Sequence, residues 1–458
     1  RKEAAMIADR IPYVTSDVIV VGGGLSGVVA ALAASDKGAK VTLFRHGYGR
    51  TALGGGMFSF ATNHDGSVKD ALKSRIAAMA KNELLPYSQM KDPLKSLRQA
   101  YKLLAAKLPA DFPRDIEEDA PQLLCLSEGG ALLRGDMAVP QVRSGDLARF
   151  VGGDVKIAVI GFTELPFFRP QLLKEQWLMD MHAAGIEKAE IRVFTLPMLD
   201  DGRQTFFRMY SEAARILDAM NPLGPLAERI REEIKGFRPD LVLFPPMLGL
   251  ARRDAVRDMS ELIGPPCAEL VGGHQAVAGL RFQQLLDEIL KAADVRVVTN
   301  CSLTGSVWQG KKLFRLSGLP DGEEGNSFND DGVIYVEAKS FVLATGRFIG
   351  GGLAEDGDGV FETICMLPVT YAGKRLRGLP AIKLVERDYA AKHVMFSCGI
   401  DVNEHMQPLN VRREAAFPNL FACGDIIGGY DLVLDGCADG LALASAYISG
   451  VNAAGGEK

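Results

Sequence analysis

The stretch from Ser16 to Ala34 constrains the fold of this 458-residue chain more than any other segment. A β-branched run, Val18 to Val21, is typical of a strand buried on both faces, and the segment from Leu25 to Ala34 favours a helix. Between them lie three glycines in G-x-G-x-x-G spacing, Gly22, Gly24 and Gly27. The first allows a tight turn, the second lets the backbone approach a pyrophosphate, and the third lets the helix pack closely on the strand. The pattern therefore predicts a bound dinucleotide whose phosphates face the helix N-terminus.

Two other interpretations of this stretch compete with that prediction. A glycine-rich turn without a ligand is the first, but a second strand, Lys40 to Phe44, follows at the distance expected of a βαβ unit. A membrane span is the second, because no charge lies between Asp17 and Asp36 and this length nearly crosses a bilayer. That run contains four glycines and divides into strand, turn and helix. We therefore reject a membrane span.

Two later strand ends carry small residues of the same kind. The first is Phe341-Val-Leu-Ala-Thr-Gly346, a fingerprint of flavoproteins with two dinucleotide-binding domains. The second is Phe417-Pro-Asn-Leu-Phe-Ala-Cys-Gly-Asp425, in which the aspartate can accept hydrogen bonds from a ribityl hydroxyl. The segment from Asp439 to Tyr447 then predicts a helix whose N-terminus faces the site and whose dipole favours an anionic reduced flavin.

The end of the second strand departs from the usual pattern. An acidic residue usually ends this strand and binds the adenosine ribose, whereas this chain has Arg45. Arg45 can contact a ribose or a phosphate but cannot accept hydrogen bonds from the ribose hydroxyls. The loop Arg50-Thr-Ala-Leu-Gly-Gly-Gly-Met57 comes next, and its backbone amides can reach a flavin or its phosphates; a plain surface loop is the alternative. The predicted cofactor-binding residues are Gly22, Gly24, Leu25, Ser26, Gly27, Arg45, Thr51, Gly54, Gly55, Thr345, Gly346, Gly424, Asp425, Asp439 and Gly440.

Composition narrows the class of partner. A formal net charge of −5 argues against a nucleic acid, and 47% hydrophobic with 24% charged residues is ordinary for a soluble globular protein. Seven scattered cysteines without C-x-x-C spacing argue against an iron–sulfur cluster or zinc site held by this chain alone. No metal-binding residues are predicted. Such a set is typical of buried, reduced thiols, and we expect a cytoplasmic protein.

The remainder of the chain predicts an insertion into the cofactor-binding domain. Strands alternating with helices between residues 151 and 260 indicate an α/β region with a parallel or mixed sheet. Further on, short strands of a small subdomain are expected at Ala381 to Glu386 and at His393 to Phe396. The predicted organisation is 1–150 as the N-terminal part of the cofactor-binding domain with a helical excursion, 151–270 as an inserted α/β substrate or partner domain, 271–352 as the return to the cofactor-binding domain, 353–412 as a small subdomain, and 413–458 as the last cofactor-binding segment.

These motifs resemble a known family of flavoproteins. The core motifs look like the glutathione-reductase-type FAD fold in its fumarate-reductase-like branch, an α/β fold with two dinucleotide-binding, Rossmann-like domains and, here, an inserted α/β domain. Several segments are more specifically similar to the B-type subunit of anaerobic glycerol-3-phosphate dehydrogenase. These segments are Gly22–Gly27, Arg238–Pro246, Gly264–Pro266 leading to Gly279–Arg281, Leu343–Leu353, and Asn419–Asp431 with Gly436–Cys437.

The resemblance implies a flavin subunit of a three-part, membrane-associated complex with partner dehydrogenase and iron–sulfur subunits. Such a complex oxidises glycerol 3-phosphate to dihydroxyacetone phosphate and passes electrons toward quinone. The family is described with FMN in this subunit, whereas the intact pyrophosphate loop here favours FAD, and Arg45 keeps FMN as the alternative. Many members lack an acid at the position of Asp425, so this chain lies nearer the general FAD pattern there. Two other functions stay open: a free-standing FAD-dependent dehydrogenase or reductase of a small substrate, and a flavin-stabilised scaffold without turnover.

Three residues are candidates for direct chemistry with a substrate. His274 and Arg281 flank a glycine-rich turn that resembles a substrate-domain junction. His274 can accept a proton from an alcohol, because histidine titrates near neutral pH. Arg281 or Arg347 can hold a phosphate or carboxylate with the fork of its guanidinium; a surface or capping role is the alternative.

Overall fold

The computed structural model describes residues 13–63, 67–199, 207–220, 223–273, 275–320, 332–388 and 390–456. The chain divides into two compact units. Unit 1 is formed by the described parts of Arg1–Arg50, Lys73–Glu117 and Leu285–Lys458, and unit 2 by those of Thr51–Leu72 and Glu118–Gln284. Unit 2 thus contains the predicted insertion. It also takes in residues 51–72 and 118–150, which the sequence had assigned to the N-terminal part of the cofactor-binding domain, and the described part of 271–284, assigned to the return to that domain.

Strands and helices alternate along most of the chain. The strands are β1 (Tyr13–Val21), β2 (Val41–Phe44), β3 (Met57–Phe58), β4 (Leu123–Leu126), β5 (Leu132–Gly135), β6 (Met137–Ala138), β7 (Asp154–Phe162), β8 (Lys188–Leu196), β9 (Leu241–Phe244), β10 (Cys267–Glu269), β11 (Arg296–Val298), β12 (Cys301–Gln309), β13 (Lys312–Pro320), β14 (Ile334–Leu343), β15 (Leu353–Glu355), β16 (Val360–Glu362), β17 (Val369–Tyr371), β18 (Lys374–Arg375), β19 (Gly399–Ile400) and β20 (Leu420–Ala422). The α-helices are α1 (Leu25–Asp36), α2 (Leu72–Met79), α3 (Pro93–Ala105), α4 (Pro140–Arg143), α5 (Pro170–Ala183), α6 (Tyr210–Ala219), α7 (Gly224–Ile234), α8 (Ala255–Ile263), α9 (Ala278–Ala292), α10 (Val394–Ser397) and α11 (Ala438–Ala453). Short 3₁₀ helices lie at Arg50–Leu53, Pro86–Gln89, Ala148–Phe150, Ala381–Leu384 and Gly424–Ile426.

The central sheet of unit 1 has the strand order β11-β2-β1-β14-β13-β12, and β20 pairs with the end of β14. Strands β11, β2, β1, β14 and β20 are parallel, whereas β13 runs antiparallel to both β14 and β12. Val18 to Val21 are all buried, as predicted for a strand covered on both faces. The apolar run therefore occupies an interior strand with parallel neighbours on both sides, the position that its sequence favours.

Helices α1 and α11 pack on this sheet with very small residues at their contact. A Cβ added at Gly450 of α11 would collide with the carbonyl oxygen of Ala30 in α1. Both helices are apolar on nearly all sides, and most of their residues are buried. A helix of this kind belongs to the interior of a large domain.

Unit 2 is built on a second sheet, with the order β10-β9-β7-β8 and all strands parallel. Helices α5 to α8 connect these strands, which matches the alternation expected between residues 151 and 260. The core of the unit includes the fully buried Trp177, whose indole N–H donates to the carbonyl oxygen of Ser127 at 3.0 Å. Ser127 also bridges to Val271. These contacts explain why residues on either side of 127 belong to this unit.

The segment from 353 to 412 differs from its prediction. Residues 381–384 form a 3₁₀ turn that begins after Pro380, and Val394–Ser397 forms one helical turn, so neither is a strand. An apolar run of three or four residues does not distinguish a strand from a helical turn, and the proline start decides for the turn here. The strands of this segment are instead β15 to β19, in two small antiparallel sheets.

Within the described residues, no helix combines the length and the apolar character needed to cross a membrane.

Candidate functional site

Three parallel strands of unit 1 end level with one another. In the register of the sheet, Val21 of β1 is paired with Leu343 of β14, and Leu343 is paired with Ala422 of β20. The three glycine-bearing turns predicted from the sequence follow directly after these residues. They therefore leave the sheet at one edge, the carboxyl edge at which open α/β sheets bind their ligands.

The first turn requires glycine at two positions. Gly22 has φ +117°, and a Cβ there would collide with the carbonyl oxygen of Ala344. A Cβ at Gly27 would collide with the carbonyl oxygen of Gly22. Gly24 is the N-cap of α1, and the first turn of this helix carries no acidic residue. The arrangement of strand, turn and helix is the one that the spacing predicted.

The third turn lies against the first. Gly424 has φ +73°, and a Cβ there would collide with the hydroxyl of Ser26. The backbone N–H of Gly424 donates to Ser445 Oγ of α11 at 3.0 Å, and Ser449 Oγ of the same helix donates to the carbonyl oxygen of Ala422 at 2.9 Å. These bonds fix the turn between α1 and α11.

The second turn contains a buried hydroxyl. Gly346 has φ +69°, and Thr345 is 9% exposed. Among the described residues, Thr345 Oγ1 has no hydrogen-bond partner. A buried hydroxyl is normally hydrogen-bonded, so this one indicates that a group outside the polypeptide completes the site.

An arginine joins the two predicted aspartates. Arg50 Nε donates to Asp425 Oδ2 at 2.5 Å, while Arg50 Nη2 donates to Asp425 Oδ1 at 3.3 Å and to Asp439 Oδ1 at 3.1 Å. Tyr430, which is buried, donates from its hydroxyl to Asp425 Oδ1 at 3.1 Å. Burial alone lowers the pKa of Arg50, but the two carboxylates outweigh it and raise that pKa, so Arg50 stays charged. Burial, reinforced by Asp425, raises the pKa of Tyr430 well above its ordinary value and keeps the phenol protonated.

Comparison with known proteins shows what this chain is similar to. The family described as FAD binding domain matches residues 17–234. The probable B-type subunit of anaerobic glycerol-3-phosphate dehydrogenase from Halobacterium salinarum is 26% identical to this chain over 460 residues, which cover 96% of this chain and 98% of that protein. The B-type subunit of anaerobic glycerol-3-phosphate dehydrogenase from Yersinia pestis bv. Antiqua is 26% identical over 438 residues, which cover 94% of this chain and 96% of that protein. Among solved structures, the open conformation of a flavocytochrome c3 fumarate reductase is 12% identical, with a TM-score of 0.43 over 99% of this chain and 80% of that one.

Residues 17–234 thus match an FAD-binding domain, and the proteins similar to nearly the whole chain are named as subunits of a dehydrogenase. The predicted resemblance to the B-type subunit of anaerobic glycerol-3-phosphate dehydrogenase is confirmed along nearly the whole chain, and FAD is the cofactor that the matched family supports.

The residues at the carboxyl edge of the unit 1 sheet fit FAD. Glycines at positions 22, 24 and 27 bring backbone close to the start of α1, where a pyrophosphate is stabilised by the helix dipole. Asp425 offers carboxylate oxygens for a ribityl hydroxyl, and the buried hydroxyl of Thr345 offers a donor that the described protein groups leave unused. Together these features would offer FAD a place for its phosphates and a place for its ribityl chain within one unit.

Arg45 is placed differently from a ribose-binding acid. It donates from both terminal nitrogens to Asp287 of α9, at 2.5 and 3.0 Å, and its guanidinium lies 5.3 Å from the ring centre of Tyr48. Its side chain also covers Gly23, where a Cβ would lie 2.6 Å from Arg45 Cδ. The carboxylate near the end of β2 is thus supplied by Asp287, from a helix about 240 residues later. No sequence signal singled out Asp287, because nothing local links it to β2.

The loop that contains Thr51, Gly54 and Gly55 lies in unit 2, beyond Arg50. A Cβ at Gly55 would collide with the carbonyl oxygen of Gly272, and the N–H of Gly272 donates to the carbonyl oxygen of Gly55 at 3.1 Å. Small residues in this loop therefore serve close backbone packing inside unit 2. Their predicted contact with the cofactor stays a prediction.

Two predicted substrate-binding residues have structural roles instead. Arg281 is buried, forms an ion pair with Glu269, and donates to the carbonyl oxygens of Leu248 and Gly249 at 3.0 Å. Both of its terminal nitrogens are therefore engaged within unit 2, and a phosphate would have to displace a buried partner.

Arg347 is likewise enclosed. Its terminal nitrogens donate to the carbonyl oxygens of Phe396, Ile427 and Tyr430, and its guanidinium lies 4.7 Å from the centre of the Tyr430 ring. It therefore fastens the segment after β20. The third candidate, His274, lies outside the described residues.

Cys423 and Cys437 border the third turn, and their surroundings favour packing over reactivity. Both are fully buried, and burial raises the pKa of each thiol far above its ordinary value. A protonated, buried thiol is a packing group.

Proposed function

We propose that this chain is the flavoprotein subunit of a heteromeric dehydrogenase that oxidises glycerol 3-phosphate and passes electrons toward quinone. The observation that carries the proposal is the similarity over at least 94% of the chain to proteins named as the B-type subunit of anaerobic glycerol-3-phosphate dehydrogenase.

Within such a complex, bound FAD would supply the chemistry of accepting two electrons from a reduced centre and delivering them onward. The protein's own residues position the cofactor. The start of α1 with Gly24 and Ser26 would hold the phosphates, and Asp425 would accept a ribityl hydroxyl. Arg347 is enclosed by backbone carbonyl groups of unit 1 and Arg281 by groups of unit 2, so each stabilises its own unit.

The proposed partners are a dehydrogenase subunit and an iron–sulfur subunit. This chain's cysteines lack the C-x-x-C spacing of cluster ligands, so an iron–sulfur relay would have to come from another chain. Contact with a membrane would come through those partners.

The test is purification of the native complex from its natural source by a tag on this chain. We expect FAD to be released on heating, iron–sulfur chains to co-purify, and added glycerol 3-phosphate to bleach the flavin absorbance. Glycerol, which lacks the phosphate, is the control and should leave the absorbance unchanged.

Two results would contradict the proposal. Turnover of glycerol 3-phosphate by the isolated chain with an artificial acceptor would identify a free-standing dehydrogenase. A flavin that stays oxidised while the complex turns over would identify a scaffold subunit.

A further inference from the structure

Arg50 is a charged residue of the site whose role does not follow from the predicted cofactor contacts. The glycine turns, Thr345 and Asp425 fit the binding of a dinucleotide. The terminal nitrogens of Arg347 donate to backbone carbonyl oxygens. The guanidinium of Arg50 instead donates hydrogen bonds to two carboxylates, those of Asp425 and Asp439. These three side chains are 33%, 13% and 14% exposed, so their charges are only partly screened by water.

Both carboxylates lie close to the place where a pyrophosphate would bind. Asp425 follows Gly424, where an added Cβ would collide with Ser26 of the phosphate-binding turn. Asp439 lies in the first turn of α11, the helix whose Ser445 accepts a hydrogen bond from the N–H of Gly424. Without the positive charge of Arg50, the two carboxylates would therefore oppose the entry of a doubly negative pyrophosphate.

We propose that Arg50 is a cofactor-site residue whose guanidinium offsets the charges of Asp425 and Asp439, so that the site can accept the pyrophosphate of FAD. Tyr430 cannot replace it, because its hydroxyl donates a hydrogen bond to Asp425 without bringing a positive charge. The role requires the fork of an arginine, since Nε and Nη2 hold one carboxylate while Nη2 also reaches the other. The hydrogen bonds from Arg50 thereby hold the Asp425 carboxylate in one position, while Tyr430 also donates to one of its oxygens.

The experiment is a titration of apoprotein with FAD, in which the dissociation constant is measured from the change in flavin fluorescence. Arg50→Ala should weaken FAD binding by about ten-fold or more, because it removes the positive charge that offsets two carboxylates beside the phosphates. Arg50→Lys keeps the charge and loses the fork, so it should fall between the wild type and Arg50→Ala. The double variant Arg50→Ala/Asp439→Asn removes one opposing charge and should recover most of the lost affinity.

A control variant separates the effect of the Arg50 charge on FAD binding from a general effect of losing an arginine on folding. Arg377 also contacts two carboxylates, Asp356 at 2.8 Å and Asp358 at 3.9 Å, but among exposed side chains, and Arg377→Ala should bind FAD like the wild type. Riboflavin, which has no phosphate, should lose little affinity in Arg50→Ala. The thermal midpoint of each apoprotein reports whether the variant is folded.

The proposal fails if Arg50→Ala binds FAD as the wild type does, or if Asp439→Asn does not restore binding in the double variant. It also fails if Arg50→Ala weakens riboflavin and FAD equally, since that result would show a structural role. A wild-type chain that binds no FAD would overturn the cofactor itself, which is a different result. None of these measurements depends on partner subunits.

Discussion

The parallel strands of the two sheets lead into different residues at their carboxyl edges. In unit 1, the strands that carry the site lead into glycines, and a buried threonine hydroxyl there has no partner among the described residues. In unit 2, the strand ends lead into carboxylates that are occupied by protein groups. Glu164, just after β7, accepts from the N–H groups of Met198 and Leu199, and Glu269, at the end of β10, accepts from Leu248 N–H and pairs with Arg281.

The difference shows how one architecture serves two purposes. A carboxylate that is buried at a strand end accepts hydrogen bonds from backbone N–H groups and so stabilises the neighbouring loops. A glycine at the same place keeps the backbone accessible to a ligand. We therefore expect substitutions in unit 1 to change cofactor affinity and those in unit 2 to change stability.

The largest effect is expected at Gly27. Gly27→Val would drive a side chain into the carbonyl oxygen of Gly22 and displace α1 from β1, so we expect loss of FAD binding. The measurement is the flavin content of the purified protein. Gly47→Ala is the matched control, because a Cβ at Gly47 meets no heavy atom within 4 Å, and it should retain full flavin content. Normal flavin in Gly27→Val would show that the phosphate-binding turn lies elsewhere.

Arg281→Met tests the structural role assigned to the buried ion pair of unit 2. Removing one partner leaves Glu269 buried without its counter-ion, which costs about 3–5 kcal/mol of folding free energy. Chemical denaturation should show this loss, and Arg281→Met/Glu269→Gln should recover part of it. A variant with unchanged stability and a raised KM for glycerol 3-phosphate would restore the substrate role predicted from the sequence.

Thr345→Val tests whether the buried hydroxyl of unit 1 serves the cofactor. Valine has nearly the same shape, so the apoprotein should keep or slightly gain stability as an unpartnered hydroxyl is removed. FAD affinity should fall by about five-fold, the equivalent of one hydrogen bond. The same FAD affinity in Thr345→Val and the wild type would exclude a bond from this hydroxyl to the cofactor.

The smallest effect is expected at the other end of the unit 1 sheet. The hydrogen bonds from Lys339 Nζ and from Lys40 N–H lower the pKa of Asp17. Since this pKa is depressed in the folded state, the stability that Asp17 contributes is present above its ordinary range and is lost as pH falls below about 4. Asp17→Asn should therefore be slightly less stable than the wild type at neutral pH, with the difference vanishing in acid. The effect is small because the carboxylate is 36% exposed; an equal difference at every pH would contradict it.

Local signals were enough to predict the cofactor turns. The spacing of Gly22, Gly24 and Gly27, the Ala-Thr-Gly strand end and the Gly424-Asp425 pair each impose a backbone shape that neighbouring residues dictate. The alternating strands and helices of residues 151–260 were recoverable for the same reason, since periodicity is a local property.

The partners of the charged side chains could not be predicted from local sequence patterns. Arg45 and Asp287 are separated by 242 positions, and Arg50 and Asp425 by 375, so no local pattern pairs them. Arg281 and Arg347 were predicted to bind substrate because an arginine's chemistry is visible in the sequence, whereas its burial and its partners are not.

The sequence by itself determined that this chain has a parallel strand, turn and helix with glycine spacing that predicts phosphate binding, because glycine spacing and apolar periodicity act through the nearest neighbours of each residue. Only the tertiary structure decided which arginines are enclosed, which carboxylates they neutralise, and that Arg50 joins Asp425 to Asp439. Those outcomes depend on pairing distant strands at one edge of the sheet, and burial and charge are properties of that assembly, not of any single segment.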